Sequence, residues 1–270
     1  MKTKIIRICV GESTWAMALI LGLFLFQPTL GWAEKITLVV ENDWPPYSSN
    51  PKNSDSPEGF SIELIRTAFA TQNITVDFIS VPFARCMYLA KTEKTVGCFN
   101  ATATDDNRKQ YFWHDPPLFY EDLSIFGRAT ADKSVMTLAS LRGKQVGITN
   151  GYTYPTNFMH DVEIVKYTAN SDASLIKMLL NNRVDYILLN RMPGYLRISQ
   201  DPESRGKVVL RGKISTDAFW IAFSKAHANG ERLAKTFSKG MREIKKNGTY
   251  KKMYETFQRN VINGAKQSQK

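Results

Sequence analysis

A small-polar segment that ends in an arginine is the first place in this chain where side chains can do chemistry. Residues 100–108 read Asn-Ala-Thr-Ala-Thr-Asp-Asp-Asn-Arg, and they follow an apolar strand predicted over 96–100. An arginine offers a carboxylate two parallel charge-assisted hydrogen bonds, and neighbouring hydroxyl and backbone N–H groups complete the shell. Asn100, Thr102 and Arg108 are therefore candidate contacts for an anion. The competing interpretation is a solvated loop with a surface arginine.

No other chemistry is indicated by motif or spacing. The three histidines, His114, His160 and His227, lack the spacing of metal ligands. The chain contains no G-x-S-x-G, P-loop or G-x-G-x-x-G sequence, and no nucleophile stands at a recognisable spacing from a base. The sequence therefore predicts a binding protein without catalytic residues, metal or cofactor, and not an enzyme.

The first 33 residues have the pattern of a cleaved signal peptide, which predicts a periplasmic mature chain. A basic start over Met1–Arg7 precedes an apolar run over Trp15–Phe26, and Gly31 and Ala33 supply small residues before the cut. The apolar run is short for a membrane span. An uncleaved membrane anchor is the rival interpretation.

The net charge of the chain bears on its choice of partners. The signal segment carries three basic residues and one acidic residue, so its removal changes the formal net charge from +11 to +9. The lysines are spread along the chain, so nucleic acid is not an expected partner.

Two cysteines remain in the predicted mature chain. Cys86 falls on a predicted helix and Cys98 on the next strand. In an oxidising compartment the pair either forms a disulfide or remains as two buried free thiols.

Periodicity predicts two successive α/β units. Apolar runs bounded by turn residues indicate strands, and apolar residues three or four positions apart indicate helices. The first unit has predicted strands over 35–42, 74–81 and 96–100 and helices over 61–71 and 83–92. After a strand over 121–128, the second unit has helices over 134–141, 155–160 and from Ser171, and strands over 146–150, 163–167 and 184–189. Strands over 208–214 and 218–224 and helices over 230–246 and 249–259 complete the chain.

This alternation is typical of parallel sheets with crossover helices. The economical arrangement returns the C-terminal part to the first unit, which gives lobe 1 over 34–127 and 217–270 and lobe 2 over 128–216. Two crossing strands then form a hinge. Ligands in open α/β sheets bind at the carboxyl ends of the strands. The strand ends are Glu41–Tyr47, Asn100–Arg108, Gly151–Thr153 and Asn190, and they are therefore expected to face one cleft between the lobes.

Taken in order, the segments resemble the bacterial periplasmic solute-binding proteins of the polar amino-acid ABC transporter type, solute-binding protein family 3. The resemblance covers essentially all of the mature chain, and it rests on six individually weak motifs in the expected order. The matching segments are Asp43-Trp-Pro-Pro-Tyr47 with Gly59-Phe60, Thr102 or Thr104 with Arg108, Trp113-His-Asp-Pro-Pro-Leu118, Leu141-Arg-Gly-Lys-Gln-Val-Gly-Ile148 with Asn150-Gly-Tyr-Thr153, Asn182-Arg-Val-Asp185, and Lys245-Lys-Asn-Gly-Thr249. It implies the type II periplasmic-binding-protein fold, in which each lobe is a mostly parallel sheet flanked by helices.

The resemblance also implies how one end of a ligand is held. Arg108 corresponds to an arginine that clamps the ligand carboxylate. Hydroxyl and main-chain donors at positions that match Thr153 and the segment around Asn100 and Thr102 complete that contact.

The rest of the implied site is aromatic and acidic. Trp44 and Phe83 correspond to aromatic residues that enclose the ligand side chain, and Tyr47 follows in the same turn. Glu41 corresponds to an acidic cleft position of some members. Where the family holds the ligand ammonium with a carboxylate, this chain has Asn190. That departure predicts an acid without a standard α-amino group.

The predicted function is capture of a small amino-acid-like or carboxylate solute by hinge closure. The chain is then a monomeric substrate-binding protein that serves an inner-membrane ABC permease. Two alternatives remain open. One is an enzyme on the same scaffold that resembles the periplasmic cyclohexadienyl dehydratases, and it would need a buried acid such as Glu41 or Asp43. The other is an exported module that senses its ligand without transporting it.

Overall fold

The protein is represented by a computed structural model that describes residues 34–51, 56–92, 95–131 and 134–267. The predicted signal peptide over 1–33 lies outside the described residues. None of the helices in the described ranges is long and apolar enough to cross a membrane.

Strands and helices alternate through most of the described chain. The strands are β1 (Glu34–Glu41), β2 (Asp43–Trp44), β3 (Ser48–Ser49), β4 (Ile74–Val81), β5 (Gly97–Ala101), β6 (Tyr111–Trp113), β7 (Phe119–Arg128), β8 (Gln145–Thr149), β9 (Val165–Ala169), β10 (Tyr186–Asn190) and β11 (Val208–Ser224). The α-helices are α1 (Phe60–Ala70), α2 (Phe83–Lys91), α3 (Thr156–Met159), α4 (Asp172–Leu180), α5 (Arg191–Gln200), α6 (Gly230–Lys246) and α7 (Thr249–Gln267).

The larger sheet is mixed and contains nine strands. Its order is β4-β1-β5-β11-β7-β10-β8-β9, and β6 also pairs with β11. Strand β1 is parallel to β4 and β5, and β8 is parallel to β9 and β10. We call β1, β4 and β5 with α1 and α2 the first half, and β8, β9 and β10 with α4 and α5 the second half. Strands β7 and β11 lie between the halves and are antiparallel to each other.

The 17-residue strand β11 is continuous, so the prediction of separate strands over 208–214 and 218–224 is wrong. Its residues Val208–Phe219 pair with β7, and Trp220–Phe223 pair with β5. The polar run Ser215-Thr-Asp217 has the composition of a turn. It nevertheless pairs with Glu121–Leu123 of β7, and two register shifts before it absorb the irregularity. The predicted division into two lobes stays a prediction.

Most other elements have the predicted type, and β4 and α6 have the predicted bounds. The helix predicted over 134–141 is reduced to a 3-10 turn at Ala139–Leu141. Strand β6 and helix α5 were not predicted. The Pro193-Gly194 pair in α5 suggests a turn, but proline is accepted in the first turn of a helix. Position 194 requires glycine, because a Cβ atom there would stand 2.9 Å from the Phe126 ring.

Helix α2 is joined covalently to the first half of the sheet. A disulfide links Cys86 of α2 to Cys98 of β5, across a sequence separation of 12 residues. Both cysteines are fully buried, in a cluster that includes Phe83 and Val39. The bond therefore fixes the helix whose first residue, Phe83, lies beside the carboxyl end of β1.

Candidate functional site

A narrow cavity of about 30 Å³ lies where strand ends from the two halves meet. We call it the central cavity. Its walls are Glu41, Trp44, Phe83, Asn100, Thr102, Leu123, Tyr152, Thr153, Tyr154, Leu188, Leu189, Asn190, Asp217 and Phe219. Seven of the nine residues predicted to bind a ligand are in this set, and Tyr47 and Arg108 are not.

Two larger clefts adjoin the central cavity. The acidic cleft, of about 390 Å³, is lined by Glu41, Asp43 and Asp172 with Phe83, Tyr152 and neighbouring residues. The Arg108 cleft, of about 380 Å³, is lined by Arg108, Asp105 and Asp217 with Thr102, Thr153, Tyr154 and neighbouring residues. Both clefts share walls with the central cavity, so the site is one elongated groove with an acidic end and an Arg108 end.

Tyr47 lies beneath the site and does not line it. Its side chain is fully buried and stacks on Phe119, with ring centroids 4.3 Å apart. Its hydroxyl donates to Glu121, which also accepts a hydrogen bond from the Met192 backbone N–H at 2.7 Å. Burial raises the pKa of both Tyr47 and Glu121. The structure therefore corrects the prediction for Tyr47, because this aromatic residue packs in the core and supports the turn above it.

Trp44 and Phe83 form the aromatic walls of the central cavity. Trp44 is almost fully buried and packs on Tyr47 and Phe219, with ring centroids 4.7 and 5.1 Å apart. The turn that holds it requires Gly59, where φ is +131° and a Cβ would stand 2.4 Å from the Tyr47 carbonyl oxygen. The indole is therefore held rigidly, with little of its surface left for a ligand.

Some of the polar groups at the end of β5 already form hydrogen bonds within the protein. The Asn100 amide donates to the Ser48 hydroxyl at 3.0 Å and accepts from the Ser61 hydroxyl at 2.6 Å. The Thr102 carbonyl accepts from the Asn107 amide at 3.0 Å, which shapes the loop that leads to Arg108. Asn100 therefore positions the strand end, and Thr102 places its side chain at the junction of the central cavity and the Arg108 cleft.

Arg108 and Asn190 have unused polar groups. Arg108 is exposed, and its guanidinium forms no ion pair or hydrogen bond with any described residue, while its backbone carbonyl accepts from the Trp113 indole. Asn190 ends β10 and precedes α5, and its side chain makes no hydrogen bond within the described chain. A cation without an acid partner at the mouth of a groove suits an anionic group of a ligand.

At the acidic end, protein groups already satisfy most of the charge. The Tyr152 hydroxyl donates to Glu41 Oε1 at 2.5 Å, and burial raises the pKa of Glu41 to about 8. Arg197 donates through Nη2 to the carbonyl oxygen and Oδ1 of Asp43, both at 2.6 Å. Its Nε lies 3.9 Å from Asp172 Oδ2, and neither of these two buried atoms has a hydrogen-bond partner.

Asp172 is placed by the helix cap that the sequence predicts. The Ser171 hydroxyl accepts from the Ser174 N–H at 3.2 Å and starts α4. The Thr149 hydroxyl then donates to Asp172 Oδ1 at 2.6 Å. Burial raises the pKa of Asp172.

The residues that the sequence did not predict include Tyr152 and Asp217, which line the groove, and Arg197, which holds Asp43 at its acidic end. Tyr152 stands inside the quoted Asn150–Thr153 motif, and Gly151 (φ +77°) lets its loop approach α2, where a Cβ would stand 2.6 Å from Ala84. Arg197 lies on the helix that was not predicted. Asp217 lies in the run that was interpreted as a connection. No group of three or more His, Cys, Asp or Glu side chains suited to a metal ion occurs among the described residues.

Known proteins share this chain's sequence pattern. Residues 36–260 match the family model for bacterial extracellular solute-binding proteins, family 3. The chain is 24% identical over 257 residues to the lysine/arginine/ornithine-binding periplasmic protein of Escherichia coli (strain K12), covering 91% of this chain and 96% of the relative. It is 23% identical over 257 residues to the histidine-binding periplasmic protein of Salmonella typhimurium (strain LT2), covering 90% and 95%. Both relatives are binding proteins, in agreement with the prediction that this chain is not an enzyme.

Solved structures share its fold. An ancestral arginine-binding protein bound to arginine superposes with a TM-score of 0.71 at 23% identity, covering 84% of this chain and 99% of that chain. A histidine kinase sensor domain with similarity to periplasmic binding proteins gives a TM-score of 0.72 at 20% identity, covering 84% and 96%. The predicted type II periplasmic-binding-protein fold is therefore confirmed.

Proposed function

Because the chain belongs to the bacterial extracellular solute-binding proteins, family 3, we propose that it captures a small amino-acid-like or carboxylate solute in the groove. The protein works in the periplasm and delivers the solute to an ABC-type permease of the inner membrane. Two periplasmic relatives named for binding basic amino acids and histidine support this class of ligand.

The observation that carries the proposal is the unpaired guanidinium of Arg108 beside a cavity walled by both halves. A free arginine at a groove mouth binds a carboxylate through two parallel hydrogen bonds. Thr102 and Thr153 line the same cleft and offer hydroxyl groups to that carboxylate. Trp44 and Phe83 line the central cavity and keep water out of it, which strengthens the charged contacts in the adjoining Arg108 cleft.

Binding is coupled to closure of the two proposed lobes, 34–127 with 217–270 and 128–216. Strands β7 and β11 connect them and act as the hinge. The hydrogen bond from Tyr152 to Glu41 and the ion pair of Arg197 with Asp43 join the second half to the first, as expected in a closed arrangement. A ligand that contacts both walls favours this arrangement over an open one.

Calorimetric titration of the monomeric chain lacking residues 1–33 tests the proposal. The probes are L-arginine, L-lysine, L-histidine, L-glutamine and glutarate. We expect at least one to bind, and at a concentration 100 times its Kd to stabilise the fold by about 2.7 kcal/mol. Arg108→Ala removes a charge-assisted contact worth roughly 1.5–3 kcal/mol, so binding should weaken about 10- to 150-fold.

Lys109→Ala is the matched control, because it removes the adjacent exposed cation, which does not line the Arg108 cleft. We expect its affinity to stay within about twofold of the native value. Absence of binding by every probe, or equal affinities of Arg108→Ala and the native protein, would contradict the proposal.

A further inference from the structure

Asp217 occupies a position in the groove that no other acidic residue of the described ranges shares. It lies in β11 and lines both the central cavity and the Arg108 cleft. Among the described acidic residues, Glu41 lines the central cavity but not the Arg108 cleft, and Asp105 lines the cleft but not the cavity. Asp217 therefore stands where the carboxylate-binding end meets the enclosed part of the site.

The Asp217 carboxylate lacks a cationic partner in the described chain. The Ser215 hydroxyl donates to its Oδ2 at 2.8 Å, and none of the described lysine, arginine and histidine residues lies within ion-pair distance. Its side chain is half-buried, and burial raises its pKa. A carboxylate removed from water without a counter-charge is unfavourable, so a cationic group brought by a ligand would stabilise it.

Arg108 lies in the same cleft and carries the opposite charge. Asp217 and Arg108 both line this space of about 380 Å³, yet they do not pair with each other or with another charged described residue. Opposite charges held apart on the walls of one cleft match a molecule that carries both charges. An α-amino acid has a carboxylate and an ammonium on the same carbon atom.

We propose that Asp217 binds the ammonium of a zwitterionic α-amino acid whose carboxylate lies on Arg108, and that it thereby determines specificity for amino acids over simple carboxylates. This inference rests on the proposed function. It replaces the expectation, drawn from the uncharged Asn190, that the ligand lacks an α-amino group. Asn190 lines the same central cavity and supplies an amide oxygen to the ammonium.

Glu41 is the rival acid, and its environment argues against this role. It is 7% exposed and accepts the Tyr152 hydroxyl, and burial favours its neutral form near pH 7. Asp105 is exposed to solvent outside the central cavity, where water screens its charge. Among the described acidic residues, Asp217 is the one that combines partial burial, a free carboxylate oxygen and a place beside both Arg108 and the aromatic walls.

The experiment compares amino acids with the same molecules lacking the α-amino group. The probes are L-arginine with 5-guanidinopentanoate and L-glutamine with 5-amino-5-oxopentanoate, titrated calorimetrically into native protein and Asp217→Asn. We expect the native protein to prefer the amino acid of a pair by at least tenfold. In Asp217→Asn the amino acid should lose about 10- to 150-fold in affinity, the range for one charge-assisted hydrogen bond. The deaminated acid should stay within about twofold.

Two further variants separate a direct contact from a general effect of charge. Asp122→Asn removes an acid of the paired strand β7 that lines none of the three spaces and pairs with Lys213 at 3.0 Å. It should leave both affinities within about threefold. Asn190→Asp added to Asp217→Asn returns a carboxylate to the central cavity, and it should restore part of the lost amino-acid affinity.

The outcomes distinguish the two proposals. If neither member of either pair binds, the proposed function fails and this inference fails with it. If both members bind through Arg108 but Asp217→Asn weakens them equally, the proposed function stands and the role of Asp217 is overturned. Selective loss of the amino acids, in a variant whose circular dichroism matches the native spectrum, supports it.

Discussion

At the acidic end of the groove, Arg197 donates to Asp43 and lies 3.9 Å from buried Asp172, whereas Arg108 at the other end has no acid partner in the described chain. Glu41 is likewise engaged by Tyr152. The acidic end thus contains an arginine already compensated by the protein. The Arg108 end contains an arginine and an aspartate that are both uncompensated.

The difference separates charges that hold the protein together from charges available to a ligand. The contacts at the acidic end join the first half to the second. At the Arg108 end, the corresponding contact among the described residues is one exposed hydrogen bond of 3.3 Å from Thr156 to Asp106. An exposed hydrogen bond of that length contributes little, because water competes for both groups. Ligand contacts are therefore needed most at the Arg108 end.

The largest expected effect of a substitution comes from the disulfide, which fixes a wall that the central cavity shares with the acidic cleft. Phe83 of α2 borders the central cavity and the acidic cleft, and Cys86 lies one turn further along that helix. Replacing both Cys86 and Cys98 by serine should lower the free energy of unfolding by about 3 kcal/mol, as the loop-entropy model gives for a loop of this length. Urea unfolding followed by circular dichroism measures it.

Because α2 lines no part of the Arg108 cleft, the factor by which Arg108→Ala weakens binding should stay within about threefold of its native value in the disulfide variant. A larger change in that factor would show that α2 also supports the Arg108 end. A loss of stability below about 0.5 kcal/mol would contradict the anchoring role of the bond.

The sequence predicted much of the groove, because the positions at which strands end can be predicted from it. Alternating apolar runs give the strands of a parallel sheet, and the carboxyl ends of such strands meet at one edge. That reasoning placed Glu41, Asn100, Thr153 and Asn190 together, and all four line the central cavity. Burial of Tyr47 was not predictable in this way, because a tyrosine after a strand has the same local pattern in a core and in a site.

The missed residues depend on long-range packing. Helix α5 contains Pro193-Gly194, a pair with low helix propensity. The close fit of Gly194 on Phe126 favours this helix, and that contact cannot be predicted from local propensity. Without α5, Arg197 had no predictable position. Asp217 was missed because pairing with β7 overrides the turn-like composition of Ser215–Asp217.

Arg197→Ala removes the arginine that Asp43 and Asp172 compensate at the acidic end. It leaves Asp172 buried without a cation and removes two hydrogen bonds to Asp43, so the free energy of unfolding should fall by about 2 kcal/mol. The matched control is Arg191→Ala on the same helix, whose side chain is 54% exposed and lies 3.5 Å from Asp122. That surface pair should contribute at most about 0.5 kcal/mol in urea unfolding.

A second readout of Arg197→Ala is the ligand preference. With Asp43 and Asp172 freed, the acidic cleft should favour a basic side chain, so affinity for L-arginine should rise relative to L-glutamine. Adding Asp172→Asn removes the buried charge while keeping the acceptor for Thr149, and it should recover part of the lost stability. No recovery would mean that Arg197 stabilises through packing rather than charge.

A pH dependence of stability distinguishes Glu41 from the other acids. Burial raises its pKa from 4.5 to about 8 in the folded protein. Between these values the folded protein keeps a proton that the unfolded chain releases. The stabilising contribution is therefore complete below about pH 4.5 and is lost as the pH rises through 8, with a slope of at most about 1.4 kcal/mol per pH unit.

Glu41→Gln keeps an acceptor for Tyr152 and removes the titration, so its stability should decline less steeply between pH 5.5 and 8.5. Asp172, Glu121 and Asp217 also have pKa values raised by burial, so part of the slope remains. Glu63→Gln changes an acid that is 61% exposed, and it should keep the native slope. If Glu41→Gln and Glu63→Gln gave the same pH profile, Glu41 would be ionised in the folded protein at neutral pH. The acidic end would then offer a ligand a charge that Tyr152 alone does not neutralise.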